Sequence, residues 1–185
     1  MNERLVEEVV RRVVRSLDRH LPAAEGRSPS RAALPADWPP RRVAVGADHG
    51  GFEMKEDLRH FLEAKGYAVV DCGTHSRESV DYPDFAARVA REVSQGKCQA
   101  GIVIDGAGIG SGMAANKVAG VRCAVCHDVA TVLNSREHND ANVLSLGSAV
   151  VPMALARRMV QLWLTTECSG ERHLRRVRKI MEIES

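Results

Sequence analysis

No stretch of this chain approaches the about 20 consecutive apolar residues that a membrane-spanning helix requires, so no helical membrane protein is expected. The N-terminus lacks a secretory apolar core, because Glu3, Glu7, Glu8, Arg11, Arg12 and Arg15 interrupt it. Cysteines are few and odd in number: Cys72, Cys98, Cys123, Cys126 and Cys168 are scattered through apolar contexts. That argues against a disulfide framework and for a reducing, cytoplasmic setting. Cys123 and Cys126 have the redox spacing but fall on an expected strand over 121–125, so they read as structural thiols. A net charge of only +2 offers no excess for a nucleic acid. His49, His75, His127, His138 and His173 show neither HExxH nor Cys/His knuckle spacing, so no metal site is expected. There is no Walker lysine pattern and no complete dinucleotide fingerprint, and no cofactor is expected.

What is present is the composition of a globular protein, and 185 residues suffice for one domain with a sizeable core plus extra sequence. Residues 1–21 carry Leu5, Val6, Val9, Val10, Val13, Val14 and Leu17 at helical spacing, acids early and arginines late, which suits a helix dipole. Residues 22–40, with Pro22, Pro29, Pro35, Pro39 and Pro40, read as a linker. A short amphipathic helix cannot bury its stripe alone. It folds back on the domain, pairs in an oligomer or docks on another protein, and the long tether favours docking. The stripe has no aromatics and its polar face carries acids, which argues against a membrane surface.

From residue 41 to 185, strands and helices alternate. Strands are expected at 43–47, 67–71, 101–105, 121–125 and 143–146. Helices are expected at 52–65, 84–94, 113–117, 129–137, 152–165 and 170–183. Repeated β-α units of this length predict an α/β three-layer sandwich around a five-stranded parallel sheet. Its ligand site should open above the carboxyl ends of the strands.

The segment Gly101 to Lys117 is the most informative. A buried strand ends on Asp105, and Gly106, Gly108, Gly110 and Gly112 follow at alternate positions before a helix. Such a strand, loop and helix N-terminus can receive an anion or a developing oxyanion. Three more polar sets are expected to reach the same crevice: Asp48 to Gly51, Arg136 to Asn142, and Arg172, His173, Arg175, Arg176 and Arg178. Arg172 and Arg176 lie four apart on one helix face, as a phosphate clamp requires. Taken singly, each set has a structural explanation; Asp105, for example, would simply cap the turn that follows it.

From Arg42 onward the motifs resemble the type B ribose-5-phosphate isomerases and the related galactose-6-phosphate isomerase subunits. The matching pieces are Gly46-Ala-Asp48-His49-Gly50-Gly51-Phe52, Asp81-Tyr82-Pro83, Gly106-Ala-Gly108-Ile-Gly110, Ala114-Ala-Asn116-Lys117, Arg136-Glu-His138-Asn139-Asp140 and Gly170-Glu-Arg172-His173. The resemblance implies a Rossmann-like sandwich, at least a homodimer, with the active site at the subunit interface. It implies interconversion of aldose and ketose phosphates through a cis-enediolate, without metal or organic cofactor. By position, Asp48, His49, Gly106, Ala107, Gly108, Ile109, Gly110, Asn139, Arg172 and Arg176 would bind substrate, and His138 would assist ring opening.

Two departures stand out. Asp105 occupies the place of the catalytic cysteine of one branch, while Ser111 stands where another branch has a glutamate. Ala149 replaces a phosphate-binding arginine. The expected function is ribose 5-phosphate isomerisation with Asp105 as base. Another sugar phosphate (a hexose 6-phosphate or a deoxy sugar phosphate) and a non-catalytic binder remain as alternatives. Residues 1–21 resemble the peptides that target enzymes into bacterial microcompartments, which would make a shell protein their partner.

Overall fold

A computed structural model describes residues 38–184, so the expected N-terminal helix and most of the expected linker lie outside the described residues. The order is β1 (Arg42–Ala47), α1 (Phe52–Ala64), β2 (Ala68–Asp71), α2 (Tyr82–Ser94), β3 (Ala100–Asp105), α3 (Ile109–Ala115), β4 (Cys123–Val125), α4 (Val129–Glu137), β5 (Val143–Gly147), α5 (Met153–Thr165) and α6 (Glu171–Met181). A short 3-10 turn, Glu182–Glu184, follows.

The five strands form one parallel sheet in the order β2-β1-β3-β5-β4. The central strands read as continuous apolar runs because both of their faces are covered. Val43, Val45, Ile102, Ile104, Leu144 and Leu146 face α1 and α5, whose Leu58, Leu62, Met159 and Trp163 complete one core. Ala44, Val103 and Val143 face α2, whose Ala86, Val89 and Val93 complete the other. Each fully buried aliphatic side chain contributes about 1.5–3 kcal/mol of transfer free energy. At the sheet margins, β2 and β4 are only half-buried.

The chain runs from β1 out to β2 and then returns to the other side of β1 as β3. This reversal leaves a crevice over the carboxyl ends of β1 and β3, where open α/β sheets accept ligands. Asp48 follows β1 directly, and Asp105 is the last residue of β3. The strand order therefore brings the two acids to adjoining loops.

The expected linker is too long at its C-terminal end. The Trp38 ring lies edge-on to Trp163, with centroids 5.6 Å apart, and the Arg136 guanidinium sits 3.5 Å over its centroid. Pro40 is buried. Residues 38–40 thus belong to the folded domain, and an aromatic residue in a Pro-rich stretch was the signal for that.

Candidate active site

The acid of β3 organises the loop beyond it. Asp105 is 5% exposed, and its Oδ1 accepts from the Ala107 N–H at 2.9 Å and from the Gly108 N–H. Its Oδ2 accepts from the Ser111 N–H at 2.7 Å. A carboxylate offers about four lone-pair positions, so three are engaged and one on Oδ2 remains. Three N–H groups of the loop and the first turn after it, those of Ala107, Gly108 and Ser111, thus point at Asp105.

Because the carboxylate satisfies these first amides, α3 starts at Ile109, earlier than the expected 113. Gly108 caps it at φ 79°, and a Cβ there would meet the Leu146 carbonyl carbon at 2.8 Å. Gly110 lies under the Tyr82 ring, which a Cβ would approach to 2.6 Å. Glycines that resemble a loop in the sequence are therefore helix positions under steric pressure.

The neighbouring loops are stitched to this one. Asp48 Oδ1 accepts from the Gly51 N–H at 2.9 Å, and the Asp48 N–H donates to the Ile104 carbonyl at 3.2 Å. The Ser148 hydroxyl lies within hydrogen-bonding distance of the carbonyls of Gly50 (2.8 Å) and Asp105 (3.1 Å). The exposed Ala149 donates its N–H to the Gly106 carbonyl at 3.0 Å, so this position stands beside the loop. His49 Nδ1 lies 3.2 Å from the Val80 N–H and 3.3 Å from the Val80 carbonyl, which ties the ring to the loop that precedes α2. Asp48, His49, Asp105 and the loop Gly106 to Gly110 thus form one constellation at the carboxyl end of the sheet.

The other expected residues form a second constellation elsewhere. Helix α4 descends from the carboxyl end of β4, so its C-cap, His138, lies near the amino ends of the strands. Asn142 confirms the level: its carbonyl accepts from the Gly101 N–H at the start of β3. Gly101 pairs with Val143 and Asp105 with Gly147, so the four intervening steps separate the two levels by about 13 Å. Within one chain the four polar sets do not meet in a single crevice, and that expectation is corrected.

At the amino end, His138 stacks on His173 with centroids 4.2 Å apart and planes within 9°. His173 follows Arg172 in the first turn of α6, with Arg176 one turn later. Burial first, then the charges of His138, Arg172 and Arg176, holds the His173 imidazole below its usual range. Asn139 is exposed, as are Arg172 and Arg176. Arg136 is not a ligand candidate. It is buried, donates to Asp140 Oδ1 at 2.9 Å and to the Ala141 carbonyl at 2.6 Å, and its burial lowers its pKa.

The ribose/galactose isomerase family model matches residues 43–180. The chain belongs to the ribose/galactose isomerase family. The ribose-5-phosphate isomerase B of Escherichia coli K12 is 44% identical over 144 residues, 78% of this chain and 97% of that protein. A solved ribose-5-phosphate isomerase B from Clostridium thermocellum superposes with a TM-score of 0.76 at 52% identity, covering 77% of this chain and 97% of that one. The Mycoplasma genitalium ribose-5-phosphate isomerase B, solved with bound ribulose-5-phosphate, gives 0.75 at 37% identity, covering 77% and 95%.

As a member of this family the protein is a sugar phosphate isomerase enzyme. None of its cysteines is poised as a thiolate base. Burial pushes the Cys72 thiol up to about 12 and raises those of Cys98, Cys123, Cys126 and Cys168. Among the described residues no three His, Cys, Asp or Glu side chains converge as a metal site, and no helix is long and apolar enough to cross a membrane. Sequence reasoning missed Asn134, whose amide meets His138; its spacing, one helical turn before that histidine, was the available signal.

Proposed function

We propose that the protein interconverts ribose 5-phosphate and ribulose 5-phosphate through a cis-enediolate, in sites completed by a second copy of the chain. The observation that carries this reading is the division of labour between the two ends of the sheet. Acids and loop amides stand at one end, and imidazoles and paired guanidiniums stand at the other. The partner's amino-end constellation faces the carboxyl-end loops across the dimer interface. Tyr82, Ile109 and Met113, which are 40%, 50% and 65% exposed beside the Gly loop, offer apolar ground for that contact.

Arg172 and Arg176 hold the phosphate, with His49 and Asn139 orienting the sugar and Asp48 fixing its loop. His138 opens the furanose ring by protonating the ring oxygen as the bond from C1 to that oxygen breaks and the C1 hydroxyl gives up its proton, leaving the C1 aldehyde. Asp105 removes the C2 proton through its unengaged Oδ2 position, and the electron pair moves to the C1 oxygen to give the cis-enediolate. Transfer of the O2 proton to O1 and return of the carbon proton from Asp105 to C1 leave the ketose. Loop residues Gly106 to Gly110 line the enediolate. Without an arginine at Ala149, one phosphate contact is missing, and assay against hexose 6-phosphates and deoxy sugar phosphates decides whether the preference has moved.

The three hydrogen bonds to Asp105 favour a second reading, in which this carboxylate only organises the loop and the protein binds sugar phosphates without isomerising them. Subunit mixing tests the shared site. Asp105→Ala and His138→Ala variants are each inactive on ribose 5-phosphate, and refolding them together restores activity, because a mixed dimer contains one intact site. Failure to restore activity, with both variants folded, contradicts the shared site. We assign residues 1–21 to docking on a microcompartment shell protein. Deletion of residues 1–37 leaves activity unchanged and abolishes co-purification with shell proteins, and persistence of co-purification contradicts this assignment.

A further inference from the structure

The last turn of α4 fixes more than the place of His138. The Asn134 carbonyl accepts from the His138 backbone N–H at 3.0 Å and from the Asn139 side-chain Nδ2 at 3.3 Å. A backbone carbonyl can only accept, so Asn139 must turn its NH2 group towards Asn134. The same Nδ2 lies 3.3 Å from Asn134 Oδ1, which sets the oxygen of that amide on the Asn139 side. The Asn134 NH2 group is then left facing His138 Nδ1 at 2.7 Å. A group that can only donate meets a ring nitrogen that must therefore accept.

We infer that Asn134 is a positioning residue that fixes the tautomer of His138, holding the neutral ring with Nδ1 bare and the proton on Nε2. The inference rests on the reading of His138 as the ring-opening residue, because an acid needs its proton on the atom that meets the substrate. His173, stacked on the ring face, limits rotation without touching either nitrogen's in-plane lone pair. Asn139 takes part as the link between a fixed carbonyl and the Asn134 amide. Two asparagines and one carbonyl thus carry orientation from the helix backbone to the imidazole.

Long-range 1H–15N correlation of the imidazoles reads the tautomer directly in the full-length protein. In the wild type, the neutral His138 ring gives the signature of protonated Nε2 and bare Nδ1. In Asn134→Asp the carboxylate accepts from Nδ1–H and inverts that signature, and kcat on ribose 5-phosphate falls about tenfold or more with little change in KM. Asn134 is exposed, so the variant should fold, but the wild-type spectrum is decisive on its own. A wild-type ring protonated on Nδ1, or an Asn134→Asp protein that keeps the proton on Nε2, overturns the inference. An inverted tautomer with unchanged kcat upholds the positioning by Asn134 and refutes the ring-opening role of His138.

Discussion

His138 and His173 lie face to face, 4.2 Å between ring centroids, although 35 positions separate them in the chain. The stack joins the C-terminus of α4 to the first turn of α6, where Arg172 and Arg176 act on the His173 ring. Burial, then the neighbouring positive charges, depresses the His173 pKa below the usual 6.5. Just below pH 6.5 the unfolded chain therefore binds more protons at this position than the folded one. Stability rises with pH across that window and is lost as the pH falls through about 6.5 towards the folded value. Urea unfolding between pH 5 and 8 checks this. His173→Phe, which keeps the stack and cannot titrate, flattens the acid side of the profile; an unchanged profile removes His173 as its cause.

Asp105 gives the loop its shape whatever its part in chemistry. Asp105→Ala leaves the N–H groups of Ala107, Gly108 and Ser111 without their acceptor. The expected loss is about 2–4 kcal/mol, the scale of an orphaned charge-assisted network. Asp105→Asn retains one oxygen acceptor and should lose less. Chemical denaturation of the two variants measures the difference, and equal stability to wild type would show that the loop does not depend on the carboxylate.

Gly110→Ala tests the contact under Tyr82. The added methyl meets the ring at 2.6 Å, so the helix or the ring must move, at a cost of about 1–3 kcal/mol. The double variant with Tyr82→Ala recovers part of that loss. A double-mutant cycle on unfolding free energies detects the coupling, and strictly additive effects would refute the contact.

Much of this architecture is legible in the sequence, for physical reasons. Ile102 to Ile104 reads as a strand because burial on both faces demands an unbroken apolar run, and Val143 to Leu146 does so with only Ser145, whose hydroxyl donates to the Gly108 carbonyl, interrupting it. The start of α3 is not legible: Gly108 to Gly112 looks like a loop, and only the positions of Leu146, Tyr82 and Val125 explain Gly108, Gly110 and Gly112. The level of His138 is legible in principle, because a helix leaving the carboxyl end of one parallel strand must return to the amino end of the next. Treating all polar sets as one crevice overlooked that parity. The stack of His138 on His173 leaves no local signal, since it depends on how the α5–α6 turn lies against α4, where the Arg136 Nε donates to the Thr166 carbonyl at 3.1 Å.

Proton traffic at the substrate carbon tests the central claim most directly. Wild-type protein incubated with ribose 5-phosphate in deuterated water is expected to yield ribulose 5-phosphate with solvent deuterium at C1. Asp105→Asn, shown to be folded, is expected to lose at least about 100-fold of that rate. Absence of ketose and of exchange in the wild type would contradict the pentose phosphate isomerase assignment, and undiminished exchange in Asp105→Asn would remove Asp105 as the base.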